Sequence, residues 1–243
     1  MPGSGGLPGE SVAAVLARSK VVLGVAVIER SGIAWSAGRP PDRLFQAGSI
    51  SKPVTAIAAL ELAARGQVDL DGDVNQWLTS WRLPGSSQVS LRQLLGHTAG
   101  TGVPFFPGYP QGGSVPTLGQ VLDGTPPSVT PAVRAEPGPF RYSGGGYAVV
   151  QQLIADVTGQ PFADAVRTLV LEPLGMSRST FEQPLPVPLR SAAARDDWHR
   201  GPLPFRLLRA ISDECGWSGF RQPALLRFNG LPGVRGIACA RRR

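Results

Sequence analysis

The sequence places a serine and a lysine three residues apart, at Ser49 and Lys52. Because residues three apart share a face of a helix, the hydroxyl and the amine can meet. A neutral lysine can take the proton of a serine and make it a nucleophile, provided that burial or a neighbouring cation lowers the lysine pKa from about 10.4. A serine helix cap beside a surface lysine is the alternative interpretation of this spacing.

The segment that follows has the composition of a helix. Mostly apolar, helix-forming residues predict a helix over residues 51–65. Pro53 is tolerated because it falls in the first turn, where an amide N–H has no helical partner. Gly66 suits the left-handed position just after a helix end. Ser49 is therefore expected at or near the helix N-terminus, with Lys52 one turn later.

Other segments predict the elements that surround this helix. A continuous β-branched run indicates a buried strand, and apolar residues at spacings of three and four indicate amphipathic helices. A serine followed by a glutamine three residues later indicates a capping box. The predicted elements are a hairpin of residues 21–28 and 33–37 turning at Ser31 and Gly32, a short helix from Ser90 to near Gly96, a helix over 147–158 that Gly159 stops, and a helix over 161–171.

Residues 101–140 contain nine prolines and predict a long irregular segment, a kind of segment that is often functional. Within it, Phe105 and Phe106 are candidates for a pocket wall, and packing in the core is the equally supported alternative. His97 precedes this segment. A lone histidine is more often a hydrogen-bonding structural residue than a catalyst, and we predict the structural role for His97.

Four segments occur in an order that is typical of one family. They read FQAGSISKPVTA at 45–56, LRQLLGHTAG at 91–100, FRYSGGGY at 140–147 and PLGM at 173–176. Together they resemble the serine β-lactamase and penicillin-binding-protein superfamily, in its class C-like esterase and D-alanyl peptidase branch. The resemblance covers roughly residues 21–183. It implies an α+β fold of the β-lactamase/transpeptidase type, an antiparallel sheet with a helical subdomain.

The resemblance also implies a site and a reaction without a cofactor. Ser49 would attack an ester, a D-alanyl peptide or a lactam and form an acyl-enzyme, while Lys52 and Tyr142 move protons. The Ser49 backbone N–H would supply half of an oxyanion hole. Gly144 stands at a substrate-binding position where relatives often have asparagine, so a side-chain amide contact is absent. A packing role at a loop end is the alternative for Tyr142.

The C-terminal residues do not continue this pattern. We predict an incomplete β-lactamase-like domain over residues 1–189 and a basic Arg/Pro-rich tail over 190–243. The C-terminal strands and final helix that the resemblance implies have no counterpart there, and a frame shift near residues 192–195 would explain the change. His199-Arg200-Gly201 matches a family triplet in letters, but the neighbouring prolines do not favour a sheet strand.

Charge and composition limit the possible partners. Residues 1–189 hold 13 basic and 13 acidic side chains, whereas residues 190–243 hold 11 basic and 4 acidic ones, a net charge of +7. The tail lacks a helical stripe of charge, so no specific nucleic-acid partner is expected. No apolar run approaches the roughly 20 residues of a membrane span. Without a signal-peptide pattern the chain as written is expected in the cytoplasm, although relatives are often exported.

Metal and disulfide chemistry are not indicated. Cys215 and Cys239 are the two cysteines, too few for a disulfide framework or a cysteine metal site. The acidic run 69–73 has serine at the twelfth loop position, Ser80, where a calcium loop needs glutamate. Three functions therefore remain open: a serine hydrolase, an impaired or frame-shifted relative without turnover, and a protein that binds polyanions through its tail. The oligomeric state is left open.

Overall fold

The computed structural model of the 243-residue chain describes residues 14, 24–29, 32–38, 44, 47–85, 87–106, 114–183 and 185–190. Its strands are β1 (Gly24–Glu29) and β2 (Gly32–Gly38), and its helices are α1 (Ser51–Ala64), α2 (Leu91–Leu95), α3 (Leu118–Asp123), α4 (Gly144–Thr158), α5 (Phe162–Val166) and α6 (Val187–Arg190). Single 3-10 turns lie at Gly48–Ile50 and Val74–Gln76, and a π-helical turn follows α5 at Arg167–Leu171.

Helix α4 is the element on which the helices α1, α2, α3 and α5 pack. Its core-facing side chains are fully buried: Val149, Val150, Leu153 and Ile154. Burying an apolar side chain of this size contributes about 1.5–3 kcal/mol relative to leaving it exposed. The helix ends at Gly159, which has a φ of +64° and so takes the left-handed position that the sequence predicted for it.

The local signals around α1 and α2 are confirmed. Helix α1 begins at Ser51 and ends at Ala64, and Gly66 follows with a φ of +70°. At the start of α2 the Ser90 hydroxyl accepts from the Gln93 backbone N–H, and the Gln93 side chain accepts in return from the Ser90 N–H. Both hydrogen bonds of the predicted capping box are therefore present.

The predicted hairpin is also present. Strands β1 and β2 pair antiparallel, with Val27 opposite Trp35 and Glu29 opposite Gly32, and the register shifts between Val27 and Ile28. Gly32 is therefore the first residue of β2 and not part of the turn. With the helices, this small antiparallel sheet gives the α+β class that the sequence predicted. The first predicted strand residues, 21–23, and the basic tail from residue 191 lie outside the described residues.

The prediction of an irregular segment over residues 101–140 is wrong for one part of it, because α3 lies there. Thr117 caps this helix by accepting from the Gln120 N–H, and the Gln120 side chain accepts from the Thr117 N–H. This is the same capping-box pattern that predicted α2. The surrounding prolines concealed it, although Gly124 supplies a left-handed stop with a φ of +64°.

The two phenylalanines in this segment have different environments. Phe106 is buried in the core, whereas the Phe105 side chain is 64% exposed. The core-packing alternative therefore holds for Phe106 but not for Phe105. Among the helices described, none combines the length and the apolar character that a membrane span requires.

The left-handed conformation of Gly124 at the end of α3 can be tested by substitution. A Cβ on Gly124 would lie 2.3 Å from the Ala132 N, and a left-handed conformation costs a residue with a side chain roughly 1–2 kcal/mol. We therefore expect Gly124→Ala to lower the free energy of unfolding by at least about 1–2 kcal/mol, measured by urea denaturation.

Gly119→Ala is the matched control inside the same helix. A Cβ there meets its nearest atom, the Thr117 Oγ1, only at 3.9 Å. Replacing glycine by alanine in a helix gains up to about 1 kcal/mol, so this variant is expected to be neutral or more stable. Equal losses in the two variants would contradict the argument from the Gly124 conformation.

Candidate active site

Ser49 lies in the 3-10 turn Gly48–Ile50, which runs directly into α1. Gly48 has a φ of +53°, a conformation that glycine adopts at little cost. The Ser49 side chain is exposed. The chain thus turns sharply just before the helix and presents the hydroxyl at its N-terminal end, as the sequence predicted.

Lys52 lies one helical turn further, on the inner side of α1. Its side chain is only 4% exposed, and its Nζ lies 3.5 Å from the Ser49 Oγ. Two aromatic rings also border the amine, with centroids 4.8 Å away for Tyr142 and 5.6 Å away for Tyr147. The alternative of a surface lysine beside a serine cap is therefore wrong.

Burial lowers the pKa of Lys52 to about 7, because a charged ammonium loses its hydration in this position. The neighbouring ring faces attract a cation, which favours the charged form. With a pKa of about 7, a substantial fraction of the amine is neutral near neutral pH. A neutral amine has a lone pair and can accept a proton from a hydroxyl.

Tyr142 closes the site from the other side. Its hydroxyl donates to the Ser49 Oγ at 2.8 Å, and its side chain is 41% exposed. The residue stands just before α4, whose N-cap is Ser143. The packing of α4 against α1 therefore brings together two residues that are 93 positions apart in the chain.

The N-terminus of α4 is held by a network of buried hydroxyls. The Ser143 Oγ accepts from the Gly146 N–H at 3.0 Å, donates to the Val103 carbonyl at 3.1 Å and contacts the Thr101 Oγ1. Thr101 and Ser143 are both buried. This network fixes the direction in which the chain enters the helix, and with it the position of Tyr142.

Gly144 lies at the first position of α4 and is buried. Its N–H donates to the Pro104 carbonyl at 2.9 Å, so that this donor is already used within the protein. A substrate contact at Gly144 stays a prediction. The triplet at residues 199–201 lies outside the described residues.

Two residues near Lys52 had received no role at the site from the sequence. Tyr147 contributes the second ring beside the amine and donates its hydroxyl to the Leu95 carbonyl at 3.3 Å, and burial raises its pKa. Tyr147 is the last residue of the segment FRYSGGGY, and that segment was the sequence signal that could have indicated its place at the site. His97 accepts from the Ser143 N–H through its Nδ1 at 3.1 Å, which agrees with the hydrogen-bonding role predicted for it.

Within the described ranges, no three His, Cys, Asp or Glu side chains come together in a way that could hold a metal ion. The arrangement is instead a hydroxyl that contacts a buried amine and a phenol. A serine hydroxyl is activated as a nucleophile by an adjacent base, and a neutral amine is a group that can act as one.

A family model described as Beta-lactamase matches residues 2–241, and the chain belongs to this family. The superfamily inferred from the four segments is confirmed. The match extends through most of residues 190–243, and the division of the chain at residue 189 stays a prediction.

Two curated relatives indicate the range of proteins to which the chain is similar. Esterase EstB of Burkholderia gladioli is 36% identical over 162 residues, which cover 60% of this chain and 41% of EstB. The putative penicillin-binding protein PbpX of Bacillus subtilis (strain 168) is 26% identical over 141 residues, which cover 58% of this chain and 34% of PbpX. The matches therefore span less than half of either relative.

Solved structures confirm the fold. FmtA from Staphylococcus aureus aligns with a TM-score of 0.64 at 18% identity, over 87% of this chain and 60% of that chain. D-amino acid amidase from Ochrobactrum anthropi SV3 aligns with a TM-score of 0.63 at 26% identity, over 85% of this chain and 62% of that chain. The β-lactamase/transpeptidase-like architecture predicted from the sequence is thus present.

The buried amine gives a pH prediction. Lys20 and Lys52 are the only lysines in the sequence, so a chain labelled with [6-13C]lysine gives two signals, and Lys20→Arg identifies the signal of Lys52. We expect its titration midpoint at about 7. Since the unfolded chain keeps this proton up to about pH 10.4, the free energy of unfolding should gain a contribution that rises with pH above 7. A midpoint at the ordinary lysine value would contradict the burial argument.

Proposed function

We propose that this chain is a serine hydrolase in which Ser49 attacks the carbonyl carbon of an acyl substrate. The observation that carries the proposal is the pair of contacts to the Ser49 Oγ, from the Tyr142 hydroxyl at 2.8 Å and from the Lys52 Nζ at 3.5 Å. Membership of the Beta-lactamase family supports it.

The first step forms the acyl-enzyme. As the Ser49 Oγ bonds to the carbonyl carbon, its proton passes to the neutral Lys52 amine, directly or through the Tyr142 hydroxyl. The bond from the carbonyl carbon to the leaving group then breaks, and the same two side chains return the proton to that group. Attack by water on the acyl-enzyme reverses the sequence, releasing the acid and restoring Ser49.

The position of Ser49 at the start of α1 favours this step electrostatically. A negative charge develops on the carbonyl oxygen, and the N-terminus of a helix stabilises negative charge. The Ser49 backbone N–H is the proposed donor to that oxygen. Removing one donor of an oxyanion hole costs roughly 10²–10³-fold in rate, so a second donor is important for full activity.

The proposed substrates are an ester, a D-alanyl peptide or a lactam, which share an acyl carbonyl. The names of the similar proteins include an esterase, a penicillin-binding protein and a D-amino acid amidase. Two outcomes must be distinguished by experiment: acylation followed by turnover, and acylation of Ser49 without turnover, as the impaired alternative requires.

We expect a fluorophosphonate probe to label Ser49, because this reagent bonds to an activated serine without needing turnover. Peptide mass mapping locates the adduct, and Ser49→Ala should abolish it. Ser87→Ala is the matched control, since Ser87 is also exposed but belongs neither to α1 nor to the turn before it. Labelling of Ser51 or Ser143 instead would overturn the assignment. Release of p-nitrophenol beyond one equivalent from a p-nitrophenyl ester would then identify turnover.

We expect Lys52→Met to slow labelling by about 10²–10⁴-fold, the usual loss when a positioned base is removed. Methionine keeps the apolar stem in its buried position, so that packing is largely preserved. Lys20→Met removes the same charge elsewhere and serves as the control. In the unmodified chain the labelling rate should rise with pH around a midpoint of about 7, as Lys52 loses its proton. An unchanged rate in Lys52→Met would mean that another group is the base.

A further inference from the structure

His97 has an unusual backbone conformation. Its φ is +59°, and among the described residues it is the only one other than glycine with a positive φ. Residues with a β-carbon adopt this region rarely, and they persist there when surrounding contacts fix them. The contacts of His97 therefore indicate what this conformation achieves.

Those contacts hold the chain on both sides of Tyr142. The His97 carbonyl accepts from the Arg141 N–H at 2.8 Å, and the His97 Nδ1 accepts from the Ser143 N–H at 3.1 Å. The residue before the tyrosine and the residue after it are thus both bound to His97. An extended histidine could not direct its carbonyl and its ring to these two donors in the same way.

The imidazole ring also contacts the phenol. Its centroid lies 4.7 Å from that of Tyr142, with the planes tilted by 35°, and 5.3 Å from that of Tyr147. The Phe140 ring meets it edge-on at 5.7 Å. Aromatic rings at such separations attract one another, so the imidazole limits the rotation of the Tyr142 side chain.

We propose that His97 is a positioning residue that holds the Tyr142 hydroxyl against Ser49, and that it does so only while its Nδ1 is unprotonated. This inference rests on the proposed function for its catalytic consequence. The hydrogen bond from the Ser143 N–H requires a lone pair on Nδ1, so the proton of the neutral ring is on Nε2. Protonation of Nδ1 removes this acceptor and releases one side of Tyr142.

The surroundings keep the ring neutral. The charged group that faces it from α1 is Lys52, and the titratable groups that face it from the α4 side are Tyr142 and Tyr147. Burial, and then the positive charge of Lys52, lower the pKa of His97. The unfolded chain therefore binds this proton more readily, and the free energy of unfolding should fall as the pH drops below about 6.5.

Two variants of His97 test the proposal. His97→Asn keeps tolerance of a positive φ and places an amide oxygen where it can accept from the Ser143 N–H, but it lacks the ring. His97→Gly loses both the Nδ1 acceptor and the ring, and keeps the backbone carbonyl that accepts from the Arg141 N–H. We expect the rate of fluorophosphonate labelling, per folded molecule, to fall by about tenfold to 10²-fold in His97→Gly, with a smaller loss in His97→Asn. Gly124→Ala, destabilised at the end of α3, should label at the original rate per folded molecule.

A double-mutant cycle separates positioning from a merely structural role. If His97 acts through the Tyr142 hydroxyl, then His97→Gly should cause little further loss in a Tyr142→Phe background. An equal loss in both backgrounds would overturn the proposal. So would a His97→Gly variant that is folded and labels at the original rate.

A measurement that does not depend on enzymatic activity distinguishes failure of this inference from failure of the proposed function. The sequence has three tyrosines, so 3-fluorotyrosine gives three 19F signals, and Tyr142→Phe identifies that of Tyr142. Beside a change near pH 7 caused by Lys52, we expect this signal to show a second transition with a midpoint below 6.5, which is lost in His97→Asn. A transition without any probe labelling would support the positioning and contradict the hydrolase proposal. A signal without the transition below 6.5, or with that transition unchanged in His97→Asn, would contradict the positioning.

Discussion

The burial of one amine is the constraint on which the site depends. An ammonium group out of water is costly, so the Lys52 side chain gives up its proton readily and its pKa falls to about 7. That burial requires α1 to lie against α4, and it requires the rings of Tyr142 and Tyr147 to border the amine. The contacts of the Ser49 hydroxyl are thus a consequence of how two helices pack.

Helix α4 links the core to the site. The apolar side chains of its core-facing side are fully buried, and this fixes the helix as a rigid body among its neighbours. Its first residues are held by the Ser143 cap and by the Val103 carbonyl. Because Tyr142 directly precedes that cap, the packing of the core determines where the backbone of Tyr142 lies. Substitutions within the core of α4 would therefore change the site as well as the stability.

The sequence predicted those features that depend on short-range chemistry. The capping box at Ser90 and the glycine stops at Gly66 and Gly159 involve residues within one or two turns, so their pattern is visible in a single segment. Helix α3 carried an equivalent signal, but surrounding prolines made the segment look irregular.

Other features depend on long-range packing. Phe105 and Phe106 differ in burial because only one of them lies on the side of the chain that meets the core. The segment has neither a helical nor a strand periodicity of apolar residues that would indicate that side. The contacts of His97 with the residues around Tyr142 join parts of the chain more than 40 positions apart. A single histidine in the sequence gives no indication of these contacts. The motifs did predict which residues would meet at Ser49, because a family resemblance carries tertiary information that local propensity lacks.

The low pKa of Lys52 has a consequence for how the site encounters its substrate. Above that pKa, the amine among the three side chains at Ser49 carries no charge. Dissolved salt screens interactions between charges and has little effect on a neutral amine, so added salt should barely change the electrostatic field that these groups exert on an approaching molecule. Long-range attraction of an anionic substrate would then have to come from other parts of the surface. The proposed catalytic groups would themselves select by contact and shape, equally well at low and at high ionic strength.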